Sequence, residues 1–269
     1  MKRSLMRVGL TVGLLGVASA AVAAFPRTPV RRCGPDAVRA GTICLDTYEA
    51  SVWRVPHAST TNAPLVSRIQ LGTATAAELT AAGATRLGTT MDDYAPCTDN
   101  GQNCANDIYA VSLPSEIPSA FITWFQAQEA CANAGKRLPT SAEWQVATNG
   151  TPDPGPDNGT TDCNSDTGVL SRTGARSSCV SARGASDMVG NLIEWVADWM
   201  PLSTQCQVWG DGVNDDLMCL AGASTSASAP GALQRGGYYF FLGPFAGPLT
   251  VGTDEPFNAF HFIGFRCAR

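Results

Sequence analysis

Apolar positions along this chain follow three patterns. From Val8 to about Ala18 they run almost unbroken, after basic Lys2, Arg3 and Arg7 and before the small residues at 20–24. That order predicts a cleavable export signal over 1–24 and a short linker over 25–32. Gly9, Gly13 and Gly16 weaken the run as a durable membrane span, and no cysteine follows it to carry a lipid. No later segment approaches the ~20 apolar residues of a span, so no membrane span is expected after leader removal.

A helical period is confined to a few stretches. Thr75 to Ala84 is Ala-rich and closed by Gly83. Thr123 to Ala134 places Trp124, Ala127, Ala130 and Cys131 on one face before Gly135 ends it. Thr140-Ser-Ala-Glu143 reads as a capping box opening a third helix, which carries Trp144 and Val146. Elsewhere Gly, Pro, Asn and Asp punctuate short apolar runs, and Gly150 to Asn164 reads as a long surface loop. The expected architecture is one loop-rich α+β domain over 33–269, without internal repeats.

Composition narrows the function. With 44% hydrophobic and 15% charged residues, 269 residues can bury a substantial core. Eighteen basic against 23 acidic side chains give −5, and loss of Lys2, Arg3 and Arg7 makes it −8, so nucleic acid is not an expected partner. His57 and His261 are the only histidines, which leaves oxygen ligands as the expected donors for any metal. Ten cysteines in an exported chain, with no C-x-x-C, read as disulfides. They allow roughly a thousand connectivities. Local pairing suggests Cys33 with Cys44, Cys97 with Cys104, Cys163 with Cys179 and Cys206 with Cys219, leaving Cys131 and Cys267.

Six blocks occur in order: Cys44-Leu-Asp-Thr-Tyr-Glu-Ala50, Ile122 to Cys131, Gly135-Lys-Arg-Leu-Pro-Thr-Ser-Ala-Glu-Trp144, Asp187-Met-Val-Gly-Asn-Leu-Ile-Glu-Trp195, Arg235-Gly-Gly237 and Gly264-Phe-Arg-Cys267. Together they resemble the sulfatase-modifying-factor family, whose namesake is the formylglycine-generating enzyme. The resemblance implies a disulfide-stapled, C-type-lectin-like fold of the formylglycine-generating-enzyme type, and it supports the pairing of Cys131 with Cys267. The enzyme resembled oxidises a cysteine using copper held by two cysteines shortly after Arg-Gly-Gly. The corresponding positions here are about Phe241 and Ala246, and no cysteine lies between Cys219 and Cys267, so copper is not expected.

Two further features concern binding. Asp187 and Glu194 bracket a Gly-containing turn that suits a hard cation. The resemblance sharpens this to a structural calcium held by Asp187, Glu194 and the carbonyls of Gly190 and Leu192. The acidic run Asp211-Gly-Val-Asn-Asp-Asp216 reads instead as a solvated turn. Of fifteen Phe and Tyr, nine lie between 238 and 265, broken by Gly243, Pro244, Gly247 and Pro248, which places several rings on loops. The tail also resembles the retroelement-diversified variable proteins, a subgroup of this fold. That implies a displayed ligand surface made by Tyr238, Tyr239, Phe240, Phe241, Leu242, Phe245, Thr253, Asp254, Phe260, His261 and Phe262. The expected function is an exported, non-catalytic module that binds a protein or glycan ligand, with a sulfatase-modifying oxidase as the alternative.

Overall fold

The alternation along Ala50–Arg54 sets up two cores from one strand. A computed structural model describes residues 32–153, 157–208, 216–223, 230–240 and 245–269, without the side chains of 203–208, 218 and 220–223. The hairpin of β1 (Ala37–Ala40) and β2 (Ile43–Asp46) leads into β3 (Ala50–Arg54). Helices α1 (Ala63–Leu71) and α2 (Ala76–Ala81) precede β4 (Thr85–Leu87) and β5 (Ile108–Ser112), which flank β3 on either side, both antiparallel. Val52, Ile108 and Ala110 face the main core, with Ile122, Leu138, Trp195 and Phe265. Trp53, Tyr109 and Val111 face the other way, onto Leu65, Ile69 and Leu79 of α1 and α2.

Helices α3 (Trp124–Asn133) and α4 (Ser141–Thr148) each open on a complete capping box, Thr123 with Gln126 and Thr140 with Glu143. Ala127, Ala130 and Cys131 of α3 are fully buried. On α4 only Trp144 takes the apolar role expected of it, because Val146 points outward and is 42% exposed. The Ala-rich segment forms a shorter helix than its composition suggests, ending at Ala81 with Ala82 as cap. Helix α1 has no counterpart among the predicted elements.

The second sheet collects the rest of the chain: β6 (Ile193–Pro201), β7 (Ser203–Val208), β8 (Leu217–Ala223), β9 (Pro230–Arg235), β10 (Val251–Asp254) and β11 (Ile263–Phe265). Their order is β11-β6-β9-β10-β8-β7, with β11 parallel to β6 and β10 parallel to β8. After β11 the chain returns to β2, where Cys44 and Arg269 exchange backbone hydrogen bonds of 3.0 and 2.8 Å.

Disulfides link Cys33 to Cys44, Cys97 to Cys104, Cys131 to Cys267 and Cys163 to Cys179. Cys219 is also disulfide-bonded; the side chain of Cys206 lies outside the described residues, as do 1–24 and nearly all of 25–32. Among the described residues, no helix is long and apolar enough to cross a membrane.

Candidate functional site

The motif blocks turn out to be internal struts, and the aromatic rings stand where the struts end. Lys136 is fully buried and its Nζ donates to Asp36 Oδ2 at 2.8 Å and Asp46 Oδ1 at 2.7 Å. Arg137 clasps Glu143 through two 2.7 Å hydrogen bonds, which ties the loop before α4 to its capping box. Gly264 has no room for a Cβ, which would meet a Leu192 methyl at 2.5 Å, so β11 can approach the 190–194 segment closely. Arg266, with no exposed surface, donates to Glu194, to the carbonyls of Asp46 and Thr47, and to those of Ser186 and Asp187. One guanidinium thereby joins β6, the end of β2 and the 186–187 segment to the C-terminal strand.

Arg235-Gly-Gly237 is a second strut. Arg235 lies over the Trp144 ring, 4.7 Å from its centroid, and donates to Gln145. Burial pulls its guanidinium down to about 10. Gly237 has φ +76°, and an added Cβ would fall 2.0 Å from the Phe245 carbonyl oxygen, so only glycine lets 236–238 pass under 245–246.

Both carboxylates of the expected calcium set are engaged by protein donors. Glu194 accepts from Arg266 Nη2 at 2.6 Å on one oxygen, and from Trp144 Nε1 at 2.8 Å and Arg266 Nε at 2.9 Å on the other. The positive charge facing Glu194 is therefore a guanidinium. Asp187 Oδ2 accepts the Gly174 N–H at 2.6 Å, and its main-chain oxygen is taken by Arg266. Burial raises the Asp187 carboxyl to about 6, and it pushes that of neighbouring Glu49 well above the carboxylate range, with Asp187 and Glu194 adding to the shift. Among the described residues, no group of three or more His, Cys, Asp or Glu side chains is arranged to hold a metal ion. Asp216, read as part of a solvated turn, is instead buried. Its Oδ2 accepts the Leu249 N–H at 2.8 Å, and burial raises its carboxyl to about 7. Residues 211–215 lie outside the described set.

The residues expected to form the ligand surface divide by burial. Phe240, Phe245 and Phe260 are 60%, 45% and 41% exposed, and His261 is exposed beside them in sequence. Tyr238 and Phe262 are half-buried and stack at 4.3 Å between centroids, and Phe260 continues the stack onto Phe262 at 5.2 Å. His261 sets its ring edge-on to Phe262. Thr253 and Asp254 are half-buried on β10, where Asp254 accepts from Glu255 N–H and Asn258 Nδ2. Tyr239 departs from the expectation. It is 7% exposed and packs with Ala120 and Leu192, because its backbone N–H is drawn inward to the Asn191 carbonyl at 3.1 Å. Phe241 and Leu242 lie outside the described residues. Ala246, one of the two positions matching the copper cysteines, is a buried aliphatic residue.

A neighbouring aromatic group escaped the sequence reading. Trp124 and Phe125 at the start of α3 meet Trp199 edge-on at 4.9 and 5.6 Å, and Phe257 rests on Phe125 at 5.0 Å. Trp199 and Phe257 are 40% and 54% exposed. An irregularity in the β6–β9 register between Trp195 and Trp199 separates a core tryptophan from a surface one on the same strand. No local pattern announces that, although the adjacent Trp124-Phe125 pair was one ring too many for a single buried stripe.

Residues 88–269 match the model of the sulfatase-modifying factor enzyme 1-like domain. No curated protein matches the chain. Among solved structures, the Major Tropism Determinant I1 variant is similar at 18% identity and a TM-score of 0.43, over 84% of this chain and 50% of that one. Variable protein 1 of Treponema denticola aligns at 18% identity and a TM-score of 0.36, over 56% of this chain and 70% of its own. PvdO from Pseudomonas aeruginosa aligns at 18% identity and 0.43, over 84% and 80%. The chain thus spans about half the length of the tropism determinant. With its six motif blocks serving as struts of a two-sheet, disulfide-stapled α+β scaffold, this chain belongs to the sulfatase-modifying-factor family and has its C-type-lectin-like fold.

Proposed function

We propose that the protein is an exported ligand-binding module of the variable-protein kind, which uses this scaffold to present aromatic side chains and performs no oxidation itself. The observation that carries the reading is the placement of Phe240, Phe245 and Phe260. Each is well exposed, yet each adjoins a strut that is buried and held by several hydrogen bonds. Large rings on a rigid support gain contact area at little entropic cost, which suits recognition of a protein or glycan. The disulfides support export, since such bonds persist in oxidising compartments.

Family membership favours the second reading, a sulfatase-modifying oxidase. The absence of any cysteine between Cys219 and Cys267 speaks against it, because the copper chemistry depends on soft thiolates. The test has two arms. Wild type and a Phe240→Ser/Phe245→Ser/Phe260→Ser variant are screened against arrays of extracellular proteins and glycans. In parallel, copper-loaded wild type is incubated with a cysteine peptide and assayed for formylglycine. Binding that the variant loses, with no formylglycine, is the expected result. Formylglycine production, or equal binding by both proteins, would overturn the reading.

A further inference from the structure

We infer that the depression between the Cys97–Cys104 loop and Phe257 is a subsite for a neutral sugar ring, separate from the Tyr238–Phe262 stack. Its walls are Thr98, Asp99, Asn100, Gln102 and Asn103 on one side and the half-exposed Phe257 ring on the other. An aromatic face beside planar amides is what a pyranose requires: the ring packs against the axial C–H groups, and amides serve hydroxyls as donor and acceptor together. The side-chain amides of Gln102 and Asn103 make no hydrogen bond to any described residue, whereas Asn100 Oδ1 is used by Thr98 Oγ1 and the Gln102 N–H.

The loop is held in place before a ligand arrives. Its ends are joined by the disulfide. Thr123 Oγ1 donates to the Asp99 carbonyl at 2.7 Å, and Gln126 Nε2 reaches Asp99 Oδ1 and the Cys97 carbonyl at 3.3 Å, so the first turn of α3 fixes the loop. Gly101, at φ +78°, lies against the Cβ and carbonyl oxygen of Phe125, the residue whose ring backs Phe257. Both walls thus share one support, which lowers the ordering cost of binding. The lining carries one carboxylate and no Lys, Arg or His, so it disfavours phosphorylated or sulfated sugars and suits uncharged ones.

Saturation-transfer NMR on the folded protein with maltotriose, cellotriose and chitotriose tests this, with inorganic phosphate as the charged control. At least one trisaccharide should receive saturation and phosphate should not bind. Phe257→Ala, and separately Gln102→Met, which keeps side-chain length but removes the amide, should each weaken that binding by roughly tenfold or more at unchanged melting temperature. Leu71→Ser, at an exposed residue of α1 that belongs to neither surface, should leave it intact, and failure of the tail surface is read separately, from the protein and glycan arrays. No saturation with any of the three sugars, or saturation that survives Phe257→Ala, would overturn the subsite.

Discussion

Single side chains in this protein carry charge into places where water cannot follow. Lys136 neutralises Asp36 and Asp46 inside the fold, with Arg269 also reaching Asp36 at 2.8 Å. Lys136→Met removes the cation and leaves two buried carboxylates behind, so it should cost about 3–5 kcal/mol in denaturant unfolding. Asp216 works in the opposite direction. Its carboxyl is raised by burial to about 7 from an unfolded value near ~3.9, so the folded state holds its proton more tightly than the unfolded chain does. That contribution to stability is complete below the unfolded value and is lost as pH rises through about 7. Asp216→Asn retains an oxygen for the Leu249 N–H and removes the titration. Melting curves across pH should therefore show the variant flatter than wild type between these values and more stable than wild type above them. Sequence could not reveal this residue's burial, because Asp211 to Asp216 has the composition of a solvated turn and only contact with 247–249 shows otherwise.

At the scale of elements, what the sequence showed followed local chemistry. Thr123 and Thr140 announce their helices because a capping box is a contact between residues three apart. Thr123→Ala removes the cap and the hydrogen bond to the Asp99 carbonyl together, and should lower stability by about 1–2 kcal/mol in chemical unfolding. Helix α1 was illegible for the same reason. Asn62 makes no side-chain cap, Pro64 begins the turn, and the buried face consists of little more than Leu65 and Ile69. Its helix is selected by packing on Trp53 and Tyr109, partners distant in sequence. The tail was half legible. Its Gly and Pro residues placed rings on loops, but the inward turn at Tyr239 depends on a hydrogen bond to Asn191, about fifty residues away in the chain. The spacing of 187–194 also contains no information about Arg266, which arrives from the C-terminus to pair with Glu194.

Across the whole molecule, the C-terminal strand is the closure. It pairs in parallel with β6, is bridged from Cys267 to Cys131 across 136 residues, and is clamped by Arg266. Replacing both cysteines by alanine should lower stability by about 5 kcal/mol in the chain-entropy model, read from urea unfolding of the otherwise oxidised protein. The aromatic surface rests on that closure, since Phe260, His261 and Phe262 lead directly into β11 and the Phe262 carbonyl accepts the Ile193 N–H at 3.0 Å. The account divides neighbouring rings into support and display, and one paired measurement tests it most directly: unfolding free energy and retention on the protein and glycan arrays, taken on the same preparations of Tyr239→Ala, Phe240→Ala and Phe260→Ala. Tyr239→Ala should lose about 3–5 kcal/mol of stability as a core truncation, while Phe240→Ala and Phe260→Ala should unfold like wild type and lose binding. Unfolding of the domain by Phe240→Ala or Phe260→Ala, or undiminished binding by both, would contradict the account.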